Sequence, residues 1–208
     1  MSQSIARCRV ITTPRSAHRP MVRAPALLAL SLLSACVARP SSSPYAVQPE
    51  SARDSIKAQS LTQRAAPLID ADPARAERLL REALAADLYH GPAHNNLGVL
   101  YLQQSKLYEA AGEFEWAKRL MPGHPDPRVN LALTLERAGR AADALASYHA
   151  ALDAAPDSLP ALMGLTRLEL RRGTPSDGTR ARLQTIALQV DDPAWRDWAQ
   201  RQLALCGK

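Results

Sequence analysis

The chain has 208 residues and a formal net charge of +6, from 26 basic and 20 acidic side chains. Five of the basic residues are arginines in the first 35 positions, where no acidic residue occurs, so without them 21 basic residues face 20 acidic ones. The remainder is nearly neutral and lacks the basic stripe of a nucleic-acid-binding protein, and its ~155 foldable residues suit one domain.

The first 35 residues have the pattern of an export signal. The five arginines precede an apolar run, Ala26–Leu33, and small residues follow it in Leu33-Ser34-Ala35-Cys36. The run is far shorter than the ~20 residues that span a bilayer, so we predict a secretory signal peptide over residues 1–35. Because Met21 already begins a compact basic start, residues 1–20 are interpreted as an over-long gene start.

The ending Leu-Ser-Ala-Cys resembles the lipobox of bacterial lipoproteins. The resemblance implies that Cys36 is acylated, becomes the first residue of the mature chain and anchors it to the membrane. It also implies sorting to the outer membrane, facing the periplasm, because Val37 rather than Asp is the second mature residue. The alternative is an ordinary signal peptide or a buried cysteine. Either way Cys206 remains the one cysteine beyond the leader, which leaves no internal disulfide.

Residues 36–51 are predicted to be a flexible tether. They hold three prolines and little that could be buried, and such a composition remains extended. Fifteen residues reach at most about 50 Å.

The segment from Gly91 to Pro156 contains the same pattern twice, 34 residues apart. Each position keeps its size class in both copies: large apolar, small, large apolar, small, aromatic, small, proline. The first copy has Leu97, Gly98, Tyr101, Ala110, Phe114, Ala117 and Pro122, and the second has Leu131, Ala132, Leu135, Ala144, Tyr148, Ala151 and Pro156. A fixed period of this length with helical spacing inside each copy predicts stacked helical hairpins.

Helical geometry explains the pattern. Leu97 and Tyr101 lie four residues apart and share one face of a first helix, while Ala110, Phe114 and Ala117 share one face of a second. The small residues allow close approach, the ring fills the space between the helices, and the proline ends the second helix.

This pattern resembles the tetratricopeptide repeat (TPR) family. The resemblance implies an all-α, right-handed superhelical stack of TPR-type helical hairpins with a C-terminal capping helix. We expect a TPR domain over residues 52–208, built from a divergent repeat at 57–90, clear repeats at 91–124 and 125–158, a degenerate repeat at 159–192 and a cap at 193–205.

Several positions depart from the family pattern. His94 lies where a bulky apolar residue is usual, and Gly178 and Arg182 replace the expected alanine and aromatic residue. Trp195 and Trp198 are interpreted as part of a lid over the last apolar face, because a stack of this kind exposes that face unless a helix covers it. The alternative is that they line a ligand cage.

The family also implies a binding groove along the first helices of the hairpins. The residues expected to line it are Asn95, Asn96, Val99, Leu102, Gln103, Val129, Asn130, Leu133, Glu136, Arg137, Met163 and Arg167. The carboxylate clamp of chaperone-type members is absent, because Val99 and Leu133 stand at its positions. An apolar strip instead suits a protein or peptide partner with hydrophobic anchors. The alternative is that these residues pack against neighbouring helices or the chain's own N-terminal segment.

We expect no catalysis, cofactor, metal or small-molecule substrate. His90 and His94 lie four apart, as a helical metal pair would, but Gly91-Pro92 places His90 outside the helix and no third ligand follows at a suitable spacing. No phosphate-binding loop, nucleophile elbow or Cys–His pairing occurs. A catalytic site without such a pattern remains an alternative.

The function expected from this combination is a non-enzymatic, membrane-anchored adaptor for protein–protein interaction. Short lipoproteins of this layout resemble assembly factors of type IV or tight-adherence pili, which implies a role in building an envelope machine such as a pilus or secretion system. The alternative is an adaptor for cell-wall hydrolases or synthases.

Overall fold

The computed structural model describes residues 49–205. These residues form helices joined by short loops, and none of them is in a β-strand. After a short 3-10 turn the helices are α1 (Ser55–Ala65), α2 (Leu68–Ala71), α3 (Pro73–Ala86), α4 (Gly91–Gln103), α5 (Leu107–Leu120), α6 (Asp126–Arg137), α7 (Ala141–Ala154), α8 (Leu159–Arg172), α9 (Thr179–Gln189) and α10 (Pro193–Leu205). The predicted signal peptide, the lipidation at Cys36, Cys206 and most of the tether lie outside the described residues.

Successive helices pair as hairpins and the hairpins stack. Helices α1 and α3, α4 and α5, α6 and α7, and α8 and α9 form the pairs, and α10 packs mainly on α9. Each pair also contacts the next, as α3 does with α4 and α5 with α6. The predicted all-α stack of hairpins with a C-terminal cap is therefore confirmed.

The repeated apolar residues form the core. Leu97, Phe114, Leu131 and Tyr148 are all buried in one cluster that runs from α1 to α8. The small residue Gly98 makes room for an aromatic ring, which is a more specific role than allowing two helix backbones to approach each other. A Cβ added to Gly98 would lie 2.6 Å from Cε1 of Phe114, so the aromatic ring itself lies on the glycine.

Helix boundaries follow the local start and stop signals. The side chain of Asp72 accepts a hydrogen bond from the backbone N–H of Arg75 at 3.0 Å, and Pro73 is the first residue of α3. Pro67 separates two helices, since α1 ends at Ala65 and the short α2 begins at Leu68.

The last hairpin, α8 and α9, is stabilised by different side-chain contacts from those of the clear repeats. Its second helix, α9, has 11 residues, whereas the second helices of the clear repeats, α5 and α7, have 14 each. Leu183, Ile186 and Val190 are buried there in a second apolar cluster that includes Ala199 of the cap. At the position of Phe114 and Tyr148, Arg182 forms an ion pair with Glu169 and donates to Oγ1 of Thr166 at 3.2 Å.

Candidate functional site

The first helices of the hairpins carry a set of hydrogen bonds between residues 31 to 35 positions apart, which we call the polar ladder. Between α4 and α6, Nδ2 of Asn130 donates to Oδ1 of Asn95 at 3.1 Å. In the same step, Nη1 of Arg137 donates to the backbone carbonyl of Leu102 at 2.8 Å. These bonds fix the spacing of α4 and α6 on the face that the repeat pattern assigns to the groove.

Between α6 and α8 the ladder consists of ion pairs around Glu136. Its carboxylate lies 3.0 Å from Nη2 of Arg167 and 2.7 Å from Nη2 of Arg171, and it accepts a hydrogen bond from the hydroxyl of Tyr148 at 3.0 Å. Burial, together with the neighbouring Glu136 carboxylate, raises the pKa of the Tyr148 hydroxyl. Because the Glu136 side chain is only 5% exposed, it is held within the protein.

The polar residues expected to face a partner are therefore engaged within the protein. Asn95, Asn130, Glu136, Arg137 and Arg167 all belong to the ladder. These five side chains contact neighbouring helices, which was the alternative to partner binding in the sequence analysis.

Two more residues of the expected groove are also occupied. Gln103 donates through Nε2 to Oδ1 of Asp70 at 2.8 Å, which ties α4 to α2. Leu102 requires a correction, because it is 7% exposed and packs in the main core. Leu102 is the last residue but one of α4, and its side chain packs among buried residues of the main core, so it is not part of the groove.

A discontinuous apolar strip remains on this face. Val99, Val129 and Leu133 are partly buried and pack against the main core with one side. Met163 does the same against the second cluster, and Asn96, three residues before Val99 on α4, is half-buried. The strip keeps part of its apolar surface accessible between side chains that the ladder holds in place.

Two cavities open between α8 and α10, at the C-terminal end of this face. Their volumes are about 260 Å³ and about 330 Å³, and Arg167 and Trp198 line both. Trp195 lines the second and contacts Trp198 edge to face, with 5.1 Å between ring centroids. The two tryptophans also pack against the second cluster, so they are both lid and cavity wall. Sequence reasoning weighed these two roles as alternatives.

A buried pair that the sequence did not reveal lies near the outer helices. Nδ1 of His94 is 2.6 Å from Oε2 of Glu113, and Nε2 is 2.8 Å from the carbonyl oxygen of Leu88. The imidazole also stacks on Trp116, with 5.5 Å between centroids. Glu113 and Trp116 line a cavity of about 460 Å³ on α5.

The two histidines considered as a metal pair have different surroundings. His94 is fully buried and held as described, whereas His90 precedes the first residue of α4. Burial lowers the pKa of His90, with Asp87 opposing the shift. Within residues 49–205 no three His, Cys, Asp or Glu side chains gather in a way that would hold a metal ion. None of the described helices has the length and apolar character needed to cross a bilayer.

Comparison with known families and structures gives a consistent assignment. The tetratricopeptide repeat family model matches residues 70–125 and 129–178. No curated protein sequence matches significantly.

Among solved structures, Pseudomonas aeruginosa pilF superposes with a TM-score of 0.65 at 19% identity, over 76% of this chain and 70% of pilF. The first TPR of Spaghetti (RPAP3), bound to the HSP90 peptide SRMEEVD, gives 0.55 at 17% identity over 59% of this chain and 98% of that one. A Thermobaculum terrenum O-GlcNAc transferase mutant gives 0.57 at 25% identity over 72% of this chain, which spans only 27% of the transferase.

Proposed function

The chain belongs to the tetratricopeptide repeat family, and from this premise we propose that it is a non-enzymatic adaptor that holds a segment of a partner protein on its concave face. The observation that carries the proposal is the partly exposed apolar strip of Val99, Val129, Leu133 and Met163. A TPR domain of the same fold, that of RPAP3, has a peptide bound.

The polar ladder makes this strip a suitable docking surface. Ordering side chains and helices costs free energy at the moment of binding, and a surface already held in place avoids that cost. The bonds from Asn95 to Asn130 and from Glu136 to Arg167 hold α4, α6 and α8 side by side before any partner arrives. The ladder therefore acts as a support for the strip.

We further propose that the adaptor is anchored by acylated Cys36 in the outer membrane of a bacterium and faces the periplasm. The leader and the lipobox-like ending support this location, and the tether would let the domain reach about 50 Å from the lipid. Within that compartment, the proposed role is to assist assembly of a type IV or tight-adherence pilus or a secretion system. The alternative, an adaptor for cell-wall hydrolases or synthases, uses the same surface, and the genes beside this one distinguish the two.

Partner capture in cells tests the adaptor role. Crosslinking followed by identification of captured proteins should recover a partner with the wild type. The substitutions Val129→Glu and Leu133→Glu should abolish capture while circular dichroism remains helical, because a buried charge excludes an apolar anchor. Leu188→Glu is the matched control, since Leu188 is 84% exposed on α9. The milder pair Val99→Thr and Val129→Thr should weaken capture if the glutamates unfold the domain; full capture with both sets would contradict the proposal.

Metabolic labelling tests the anchor. Cells that express the wild type and Cys36→Ser are grown with labelled palmitate, and membrane fractions are compared. Label and membrane association should both be lost in the variant, whereas equal labelling would refute the lipid anchor.

A further inference from the structure

The step of the polar ladder between α6 and α8 is built on a carboxylate, and the corresponding position toward α10 has none. Glu136 of α6 pairs with Arg167 and Arg171 of α8, which lie 31 and 35 residues later. One repeat further, 34 residues on, Arg201 of α10 takes the place of Arg167, but Leu170 takes the place of Glu136. The arginine is repeated and the carboxylate that would pair with it is not.

The same end of the concave face carries an excess of positive charge. Arg167 and Arg171 share the single carboxylate of Glu136, so this trio has a net charge of +1. Nε of Arg167 is buried and has no hydrogen-bond partner among the described residues. The guanidinium of Arg201 lines the cavity between α8 and α10 and adds a second positive charge.

The space beside these arginines has room for a ligand side chain and an aromatic wall. The two cavities between α8 and α10 share Arg167 and Trp198, so they adjoin. Trp198 presents a half-buried ring to both, and Leu170 forms apolar floor in the first. Tryptophan and arginine are both enriched among the residues that contribute most to protein–protein binding.

We propose that this gap, lined by Arg167, Arg171, Arg201 and Trp198, binds an acidic segment of the partner protein, with a carboxylate on the arginines and a neighbouring apolar or aromatic side chain against Trp198. The incoming carboxylate supplies the group that Leu170 does not, and so completes the ladder between α8 and α10. Planar guanidinium groups bind carboxylates through paired hydrogen bonds, which gives both affinity and orientation. The inference rests on the proposed adaptor function and names the chemistry of its partner.

Selection from a random dodecapeptide library on the full-length protein tests the proposal. Peptides selected by the wild type should be enriched in Asp or Glu next to an aromatic or aliphatic residue. The double variant Arg171→Gln/Arg201→Gln should not select them, and Glu136 keeps Arg167 and Tyr148 as partners in that variant. The control is Arg75→Gln/Arg78→Gln, which makes the same change of charge at exposed positions of α3.

Affinity measurement on one selected peptide completes the test. Fluorescence anisotropy should show at least about tenfold weaker binding for the Arg171→Gln/Arg201→Gln variant, and for a peptide in which Asn and Gln replace Asp and Glu. Binding by the wild type should also weaken as salt is raised from about 0.05 M to about 0.5 M, because part of the site is exposed.

The outcomes separate this inference from the adaptor function. Selected peptides without acidic enrichment, or enrichment that the double variant retains, would refute the acidic site and leave the adaptor role standing. No selected peptide at all would contradict both. Binding of vesicles rich in anionic lipid by the wild type, without any preference for acidic peptides, would assign the arginines to the membrane surface and overturn the proposal.

Discussion

His94 is a buried residue, and both of its ring nitrogens have a hydrogen-bond partner. The carbonyl oxygen of Leu88 can only accept, so Nε2 carries a hydrogen that it donates over 2.8 Å. Nδ1 then either donates to the Glu113 carboxylate or accepts from its acid form, so the 2.6 Å contact is a hydrogen bond in either case. An ion pair or hydrogen-bonded pair thus fills the position of an apolar side chain. Burying such a pair makes each partner depend on the other.

Replacing only one residue of the His94–Glu113 pair should lower the free energy of unfolding far more than replacing both residues. The side chain of Glu113 is only 3% exposed, and the substitution Glu113→Leu removes the carboxylate from Nδ1 of the buried imidazole. Glu113→Leu should therefore lower the free energy of unfolding by about 3 kcal/mol. The double variant His94→Leu/Glu113→Leu should recover much of that loss, because neither buried side chain is left facing a missing partner, although the backbone carbonyl of Leu88 loses its hydrogen bond from Nε2. Urea unfolding monitored by circular dichroism measures both. If the double variant loses as much free energy of unfolding as His94→Leu and Glu113→Leu lose in sum, the two residues are not coupled.

Tyr148 should make stability fall at alkaline pH. Its pKa is raised in the folded state, mainly by burial, whereas an unfolded tyrosine ionises near ~10. The stabilisation is fully present below that pH. Above it the unfolded chain has lost a proton that the folded chain keeps, so the free energy of unfolding falls by about 1.4 kcal/mol per pH unit from this residue. Tyr148→Phe should reduce the slope between about pH 10 and 11. Equal slopes in urea titrations of the two proteins would contradict this.

At the scale of elements, aromatic rings determine how closely the helices pack. The ring of Phe114 lies on Gly98 within its own hairpin, whereas the ring of Tyr148 lies on Gly164 of α8, in the next hairpin. The repeated aromatic position therefore serves two interfaces. Which interface it serves depends on where the glycine falls.

Two glycine-to-alanine changes should have opposite effects. A Cβ at Gly164 would lie 2.3 Å from the Tyr148 ring, so Gly164→Ala should destabilise by about 1–3 kcal/mol as α7 and α8 move apart. Gly112, inside α5, has nothing within 4 Å of an added Cβ, so Gly112→Ala should stabilise by about 0.5–1 kcal/mol through helix propensity. Thermal unfolding measures both, and a Gly164→Ala variant that is as stable as the wild type or more so would refute the close contact at Gly164.

The degenerate hairpin replaces an apolar pair by an ionic one. Tyr101 and Phe114 of the first clear repeat become Leu135 and Tyr148 in the next, then Glu169 and Arg182 one repeat later, each 34 residues on. Glu169 is buried, and it also accepts from Oγ1 of Thr179 at 2.8 Å. The hairpin keeps its geometry because both members changed together.

Restoring the repeat pattern at both positions should preserve stability. Glu169→Leu alone leaves the half-buried Arg182 without its carboxylate and should cost about 3 kcal/mol in unfolding free energy. Glu169→Leu/Arg182→Tyr, which copies the Leu135 and Tyr148 pair, should cost less than the single change. Chemical unfolding of the four proteins of this cycle gives the coupling energy. A coupling energy near zero would show that the Glu169–Arg182 ion pair does not replace the packing of the Leu135 and Tyr148 pair.

At the scale of the whole molecule, residues 49–205 form two apolar clusters along one stack. The larger runs from α1 to α8, and the smaller joins α8, α9 and α10 around Leu183 and Ile186. Stability in a stack of repeats is a sum of units and their interfaces, so the ends open before the middle. The cap matters for stability and also forms one wall of the proposed acidic-segment site.

Removing residues 193–208 should unfold the C-terminal hairpin selectively. The truncation deletes Ala199 and both cap tryptophans from the smaller cluster, so α9 should lose hydrogen-exchange protection. Helices α4 to α7 should stay protected, because their contacts belong to the larger cluster. Exchange measured by mass spectrometry resolves the two regions. Uniform loss of protection would show that the stack unfolds as one unit.

The sequence by itself determined the stack of hairpins, the faces that form its core and the proline boundaries. It could do so because a 34-residue period of large and small residues constrains each helix through its immediate neighbours in the chain. The polar positions of the first helices carry no such size pattern. Their partners, Asn95 with Asn130 and Glu136 with Arg167, depend on the distance and rotation between first helices of successive hairpins.

Tertiary structure alone decided three features of the candidate site. Leu102 points inward rather than toward a partner, His94 and Glu113 meet from different helices, and a gap opens between α8 and α10. Each depends on how whole helices are placed against one another. That placement is the sum of many side-chain contacts far apart in the chain, which a period read along one helix does not contain.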